Sequence, residues 1–439
     1  MRFYDRKDEI EILQENERQA HDSAVFTVLT GRRRVGKTSL VTHALEGVEW
    51  AYLFVSKDSE AALCQKFQRE LEEQVGIHVY GQVTNFRDLF KVIMEESTRR
   101  HFTIVIDEFQ NLHKINPAIF SEIQDLWDRY HNISRLNLIV SGSIMSLMKR
   151  IFEDANEPLY GRPTSKFTLR PFTINVLKEI FHDHCPEYSN EDLLCLYMLT
   201  GGVAKYVELL MDGKCFTKTK MLNNVCRQDS YFLSEGRDLM NQEFSDDSVT
   251  YFSILQLIAN GMTRRADIDG ALMKDTGAFI QNLERDFRII SRVKPLLSKP
   301  NSKTSAYEIS DQFLRFWFRF VCPYQSLIER QQFSLLRSNI DTHYDVFSGR
   351  TLEQYFQANL MESGKYTQVG NWWDRKGENE LDIVAINEFD MTGMVAEVKR
   401  NPKKISISKI KDKINHGSPE IFIARNRGFP KIFASVFYK

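Results

Sequence analysis

The chain has 439 residues, 58 Lys plus Arg against 59 Asp plus Glu, and a formal net charge of −1. That length exceeds one ordinary domain, and the balanced charge leaves any affinity for nucleic acid to local basic patches. The six cysteines form no Cys-x-x-Cys pair, the start MRFYDRKDEI lacks an apolar signal core, and no apolar run reaches the roughly 20 residues of a bilayer span, so a cytoplasmic protein without a membrane segment is expected.

The first third alternates short apolar runs with polar helical stretches, the pattern of a parallel α/β sheet. AVFTVLT (24–30), WAYLFVS (50–56), FTIVID (102–107) and LNLIVSG (136–142) read as four strands. After the first comes GRRRVGKT, which fits G-x-x-x-x-G-K-[ST], and then SLVTHAL opens a helix. Strand, loop and helix in this order form a phosphate cradle: Gly31 and Gly36 let the backbone curl, and the N–H groups of Gly31, Arg32, Arg33, Arg34, Val35, Gly36, Lys37, Thr38 and Ser39 surround a nucleotide such as ATP. Lys37 reaches the β- and γ-phosphates, and the Thr38 hydroxyl is placed for Mg2+. Asp107 emerges at the end of a buried strand as a second magnesium partner, and Glu108 beside it is the candidate to orient the attacking water. Ser141, ending the fourth strand, is either a γ-phosphate sensor or a turn serine. Arg162, in LYGRP, is either an arginine finger or sensor or a surface arginine.

From 173 to 240 the strands stop, and VLKEIFHDHC, EDLLCLYMLTG and AKYVELLMDG carry apolar residues at helical spacing. The His182-Asp183-His184-Cys185 run is a helix end, since successive helical residues face different sides. Between 241 and 330 three helices (YFSILQLIANG, TRRADIDGAL and TGAFIQNLERDFRII) precede KPLLSKPNSKTSAYEI, read as two short strands around a turn. This is the shape of a winged helix. Arg264, Arg265, Gln281, Asn282 and Arg285 are its candidates to face DNA, but Glu284 and Asp286 among them disfavour phosphate, and a protein-packing module is the other reading. The aromatic run DQFLRFWFRFV is dense on several sides and reads as core.

The last zone, 331–439, has its own α/β pattern. SGRTLEQYFQANL (348–360) is a helix carrying Glu353, ELDIVAI is a strand with Asp382 near its start, and MVAEVKRN is a strand with Glu397 and Lys399. Glu397 and Lys399, two apart on a strand, share a face; if the hairpin sets Asp382 opposite either, all three converge, and a one-residue slip separates them. The acids, with Glu353, would then hold magnesium and Lys399 would position water. The basic run 399–414 is either a phosphate surface or a solvated helix face.

FYDRKDEIEIL, GRRRVGKTSL, VIDEFQNL, VSGSIMSLM, PLYGRP, FTLRPF and LTGGVAKYV together resemble the archaeal-type P-loop ATPases of the AAA+ and STAND group, over the first 210 residues. The resemblance implies a P-loop core (1–172), a helical lid (173–240) with Gly201-Gly202 near the nucleotide, a winged helix (241–330) and oligomerisation. The order Glu, Asp, Glu-x-Lys, with NWWDRKGENELDIVAI, resembles the restriction-endonuclease-like PD-(D/E)xK fold (331–439), although Asn379-Glu380-Leu381 stands where a Pro-Asp pair is usual. Two functions follow as expectations. One is a DNA-directed ATPase gating a nuclease-like domain; the other is a nucleotide-controlled STAND switch whose C-terminal domain only binds.

Overall fold

The computed structural model describes residues 1–244, 248–296, 298, 304–374 and 379–401, together with the backbone of 431–438. The chain divides into two compact units, Asp5–Pro171 and Phe172–Lys439, the latter joined by Met1–Tyr4.

In the first unit, strands β1 (Val25–Thr30), β2 (Trp50–Phe54), β3 (Phe102–Asp107), β4 (Leu136–Gly142) and β5 (Ser165–Thr168) form a sheet in the order β2-β3-β4-β1-β5. Every pairing is parallel. Every residue of β3 and β4 is buried, which a parallel strand requires because helices cover both its faces. The two-residue period divides the core. Val28, Ile104, Ile106, Leu138 and Val140 meet Phe67, Phe90, Ile123 and Phe152 on one face. Leu29, Val105 and Ile139 meet Leu13, Leu40 and Val41 on the other. The four expected strands are present. The fifth, β5, is short and alternates half-buried with exposed residues, so no apolar run announces it.

The second unit begins with helices Ile174–His184, Asn190–Thr200, Ala204–Asp212, Lys218–Val225 and Tyr231–Glu243. Their starts are fixed by side chains: Thr173 and Thr217 accept N-terminal amides, and Ser189 and Asp192 form a capping box. Gly202, at φ +80°, accepts Phe172 N–H at 2.8 Å, and a β-carbon there would lie 2.2 Å from the Phe172 carbonyl oxygen, so only glycine fits this crossing. Tyr4 is buried and donates to Asp183 at 3.0 Å, using the acid of the His182–Cys185 helix end.

Helices Ser248–Ala259, Arg265–Leu272 and Gly277–Arg285 follow, then the antiparallel pair β6 (Ile290–Val293) and β7 (Ala306–Ile309). Two local expectations are corrected. The third helix stops at Arg285 and does not run on through DFRII, because Arg288 turns left-handed (φ 52°) and β-branched Ile290 opens β6 just after Ile289. The first strand therefore precedes Pro295 and does not lie in KPLL. Of the proposed DNA-facing residues, Arg265 is paired with Asp269 and Asp275 at 3.3 and 2.7 Å, and Asn282 turns inward to Tyr251 at 3.0 Å; Arg264, Gln281 and Arg285 stay exposed.

The aromatic run forms the Gln312–Phe320 helix, capped by Asp311 and buried along its length save half-buried Arg319, as core. The helix expected at 348–360 is the second half of one 30-residue helix, Phe333–Glu362. Its first half (Leu336, Ile340, Tyr344) enters the large helical core. Its second half, through Leu352, Phe356 and Leu360, covers a C-terminal sheet. That sheet, β8 (Gln368–Trp373), β9 (Glu380–Asn387), β10 (Thr392–Lys399) and β11 (Lys431–Tyr438), has the order β11-β10-β9-β8. Only β10 and β11 run parallel. Of the basic run 399–414, the part beyond Asn401 lies outside the described residues.

Candidate active sites

The loop after β1 curls through left-handed backbone at Arg34 (φ 72°) and Gly36 (φ 101°), and the Lys37–Ala44 helix starts at once. A φ of 101° is open to glycine and strained for other residues. Val35 is buried and anchors the loop, while Thr38 and Ser39 are exposed and Arg32, Arg33 and Arg34 half-buried. The buried Lys37 amine donates to the carbonyls of Gly31 (2.8 Å) and Arg32 (3.3 Å). Burial holds its pKa below the usual lysine value, against the opposing pull of Glu108 and Asp107.

β3 delivers Asp107 beside this loop. Its carboxylate accepts from Thr38 at 3.4 Å, from Tyr52 at 2.5 Å and from Ser141. Burial, then the Asp107 contact, push the Tyr52 phenol above its ordinary pKa, so it stays a donor. Glu108 sits in the left-handed region (φ 54°). Its two carboxylate oxygens accept from Ser143 at 2.9 and 2.8 Å, and Gln110 donates to one of them. The sequence-named residues Lys37, Thr38, Asp107, Glu108 and Ser141 thus come together. Tyr52, Ser143 and Gln110 join them without having been singled out. A signal for Tyr52 existed: it is a polar-tipped residue on the half-exposed face of β2, where Ala51 and Leu53 are buried.

Arg162 is not among them. It donates to Asp128 (3.0 and 3.4 Å) and to the Tyr160 carbonyl. Thr164, two residues on, pairs with Phe26 near the start of β1, whereas the phosphate loop follows its end. Arg162 therefore lies toward the other end of the strands from the phosphate loop and is paired with Asp128, so the structure does not bring it to its own chain's nucleotide site.

In the second unit, β9 and β10 pair with Ile383 opposite Ala396, which continues to Asp382 opposite Glu397. This is the register that brings the three side chains to one face. Lys399 Nζ lies 2.9 Å from Asp382 and 2.7 Å from Glu397, and Asp382 also accepts Val398 N–H at 2.8 Å. Asp382 and Glu397 are buried, and the lysine is held above its ordinary pKa by both acids, although burial opposes this. Glu353, on the long helix, is pushed up to about 7, chiefly by burial and further by Asp382, while its partner Arg350 opposes. Gln357 donates to the Asp382 carbonyl at 3.1 Å, fastening helix to strand. Such a group offers oxygen donors for a hard divalent cation with an ammonium beside them.

Residues 3–210 match a family described as an ATPase domain predominantly from Archaea, and residues 317–410 match one described as archaeal and bacterial proteins of unknown function. An uncharacterized protein of Methanocaldococcus jannaschii is 29% identical over 419 residues, covering 93% of this chain and 90% of its own. Among solved structures, a Walker-type ATPase of Pyrococcus abyssi superposes with a TM-score of 0.53 at 19% identity, over 72% of this chain and 96% of its own. That is a likeness of fold. The chain therefore carries a P-loop domain of the archaeal ATPase type, followed by a C-terminal region shared with proteins of unassigned function. Among the described residues, no helix is long and apolar enough to cross a membrane.

Proposed function

We propose that the chain hydrolyses ATP with magnesium and that its nucleotide state gates a magnesium-dependent, nuclease-like site acting on DNA. The observation that carries the second half is the convergence of Asp382, Glu397 and Lys399 within 3 Å contacts on one strand pair.

At the P-loop, amides of Gly31–Ser39 surround the phosphates and Lys37 holds the β/γ region. Thr38 and Asp107 fit magnesium, being two oxygen donors 3.4 Å apart. Bound magnesium neutralises charge that develops on the phosphates. Glu108, fixed by Ser143 and Gln110, orients the attacking water and takes its proton. Ser141 orients Asp107. Arg162, at the far end of the strands from the phosphate loop, would serve the nucleotide of another copy, which makes a homo-oligomer part of the reading. At the C-terminal site Asp382 and Glu397 would hold a second magnesium, with Glu353 behind them on the long helix; the ion would polarise the phosphodiester, and Lys399 would hold the attacking water. The three helices with β6 and β7 act as a winged helix that positions DNA through Arg264, Gln281 and Arg285.

The test is cleavage of single- and double-stranded DNA and of RNA with magnesium, with and without ATP. Asp382→Ala and Lys399→Ala are each expected to lose about 100-fold or more of the cleavage rate and to keep ATP turnover within about twofold. Cleavage that survives both variants rejects the nuclease assignment. A net charge of −1 and the internal pairing of Arg265 favour a second reading, a nucleotide-controlled switch whose C-terminal unit only binds. Salt-sensitive retention of DNA with no cleavage selects it.

A further inference from the structure

A cavity of about 370 Å³ opens beside the C-terminal acidic site but is separate from it. Its floor is the Gln312–Phe320 helix, which contributes Arg315 and Arg319, four apart and on one side. One wall is the long helix, with Phe347, Arg350 and Gln354 in line; the other is the Asn260–Gly261 turn and β7. The charges inside it do not cancel. Arg350 is answered by Glu308 and Glu353, and Glu308 is also held by Gln354 at 2.9 Å. Among the described residues neither Arg315 nor Arg319 is in ion-pair contact with a carboxylate, and Glu308 and Glu353, both held by Arg350, attract Arg315 only from farther off. Arg315 is only 9% exposed, and its donors go to Gln312, Thr351, Gln354 and the Phe347 carbonyl at 3.0–3.1 Å, with its guanidinium 4.2 Å from the Phe347 ring centre. Arg319 donates to Asn260 at 2.8 Å. Burial lowers Arg315 to about 10, which leaves it charged at neutral pH.

A cation buried without a carboxylate in contact is expensive, and proteins ordinarily supply a direct pair or an anion. Here neutral groups hold Arg315 in place at the wall of an open space, with a second unpaired guanidinium one turn away. Arginine forks match phosphate geometry. The remaining lining is mostly apolar or aromatic (Ile258, Tyr307, Ile309), with Thr263 and His343 as its further polar members, and the volume is that of a small-ligand site. We infer that this cavity binds a nucleoside monophosphate unit, its phosphate on Arg315 and Arg319 and its base against Tyr307 and the apolar wall. The unit is either a free nucleotide or the 5′-phosphorylated end of a strand. The inference does not depend on whether Asp382 and its neighbours cut.

The test uses the full chain without magnesium, to prevent cleavage, and with Lys37→Ala to remove nucleotide binding at the P-loop. Calorimetry compares uridine 5′-monophosphate with uridine, and a 5′-phosphorylated oligothymidylate with its 5′-hydroxyl form. The phosphorylated member of at least one pair is expected to bind about tenfold or more tightly than its partner. Binding of the mononucleotide identifies a free nucleotide, and binding of the oligonucleotide alone identifies a strand end. Arg319→Ala should remove most of this preference and Arg319→Lys part of it. Val346 lines the mouth and is 84% exposed, so Val346→Glu leaves the core untouched; it should weaken binding, and Val346→Lys should not. Equal affinity with and without the phosphate, or phosphate-dependent binding unchanged by both Arg319→Ala and Val346→Glu in folded protein, overturns the inference.

Discussion

Asp107 gathers three hydroxyls and Glu108 gathers a serine and an amide, so the two adjacent acids are held in separate networks. That separation lets one be changed without collapsing the other. Glu108→Gln keeps the shape and loses the proton acceptor; ATP should still bind while turnover falls about 100-fold or more. Lys37→Ala removes the cation over the β- and γ-phosphates, so binding itself should fail. Nucleotide-binding and steady-state assays separate the two outcomes, and undiminished turnover in Glu108→Gln would sink the assignment of the water-orienting acid. A third acid, Glu17, serves stability. It accepts from His101, Thr103 and Asn137, and these contacts hold it below 4.5 although burial opposes them. His101 is held above 6.5 by Glu17, again against burial. The histidine's contribution is full below its unfolded pKa near 6.5 and is lost as pH rises through its raised folded value. The acid's contribution is lost as pH falls through its lowered one. His101→Gln should therefore cost most stability between about pH 4.5 and 6.5 and progressively less above. Urea titrations across that range check this, and a cost that grows with pH contradicts it.

At the level of elements, the Gln312–Phe320 helix is the keystone of the second unit. Trp317 is 1% exposed and donates to the Leu233 carbonyl at 3.0 Å, and a β-carbon on Gly236 would fall 2.2 Å from its indole. Gly236→Ala improves helix propensity by about 1 kcal/mol. It should nevertheless destabilise, by about 1–3 kcal/mol, because the ring has no room to retreat. Thermal melts decide the sign. The same helix shows what the sequence makes legible. Continuous apolar runs exposed β1, β3 and β4, and the two-residue spacing told that Glu397 and Lys399 share a face, while the place of Asp382 waited on the hairpin register. β5 and β6 escaped because one lacks an apolar run and the other begins inside an apparent helix, at Ile290. The Arg162 position was equally hidden, since a sequence without an apolar run for β5 does not reveal at which end of the strands the preceding loop lies. Nor did it reveal Tyr52 or Ser143, whose roles depend on strand neighbours brought together only by the β2-β3-β4 order.

For the whole molecule, the two units have separate apolar interiors, one around the parallel sheet and one around the helices. Scanning calorimetry should resolve two transitions. ADP at about 100 times its dissociation constant should raise the stability of the first unit by about 2.7 kcal/mol. Lys37→Ala should abolish that rise and leave the second transition where it was. A single merged transition that moves as one with nucleotide would instead show the units to be thermodynamically coupled. Within the second unit, coupling is built in. The Phe333–Glu362 helix, about 45 Å long at 1.5 Å per residue, has one end clamped in the helical core and the other against the C-terminal sheet. It works as a drive shaft. Each residue advances the helix by about 100°, so one alanine inserted after Gly349 would turn Glu353 and Gln357 by that angle relative to Tyr344 and Ile340. The acid would swing away from Asp382 while every residue beside it remained chemically intact; the site is timed by a residue count as well as composed of side chains.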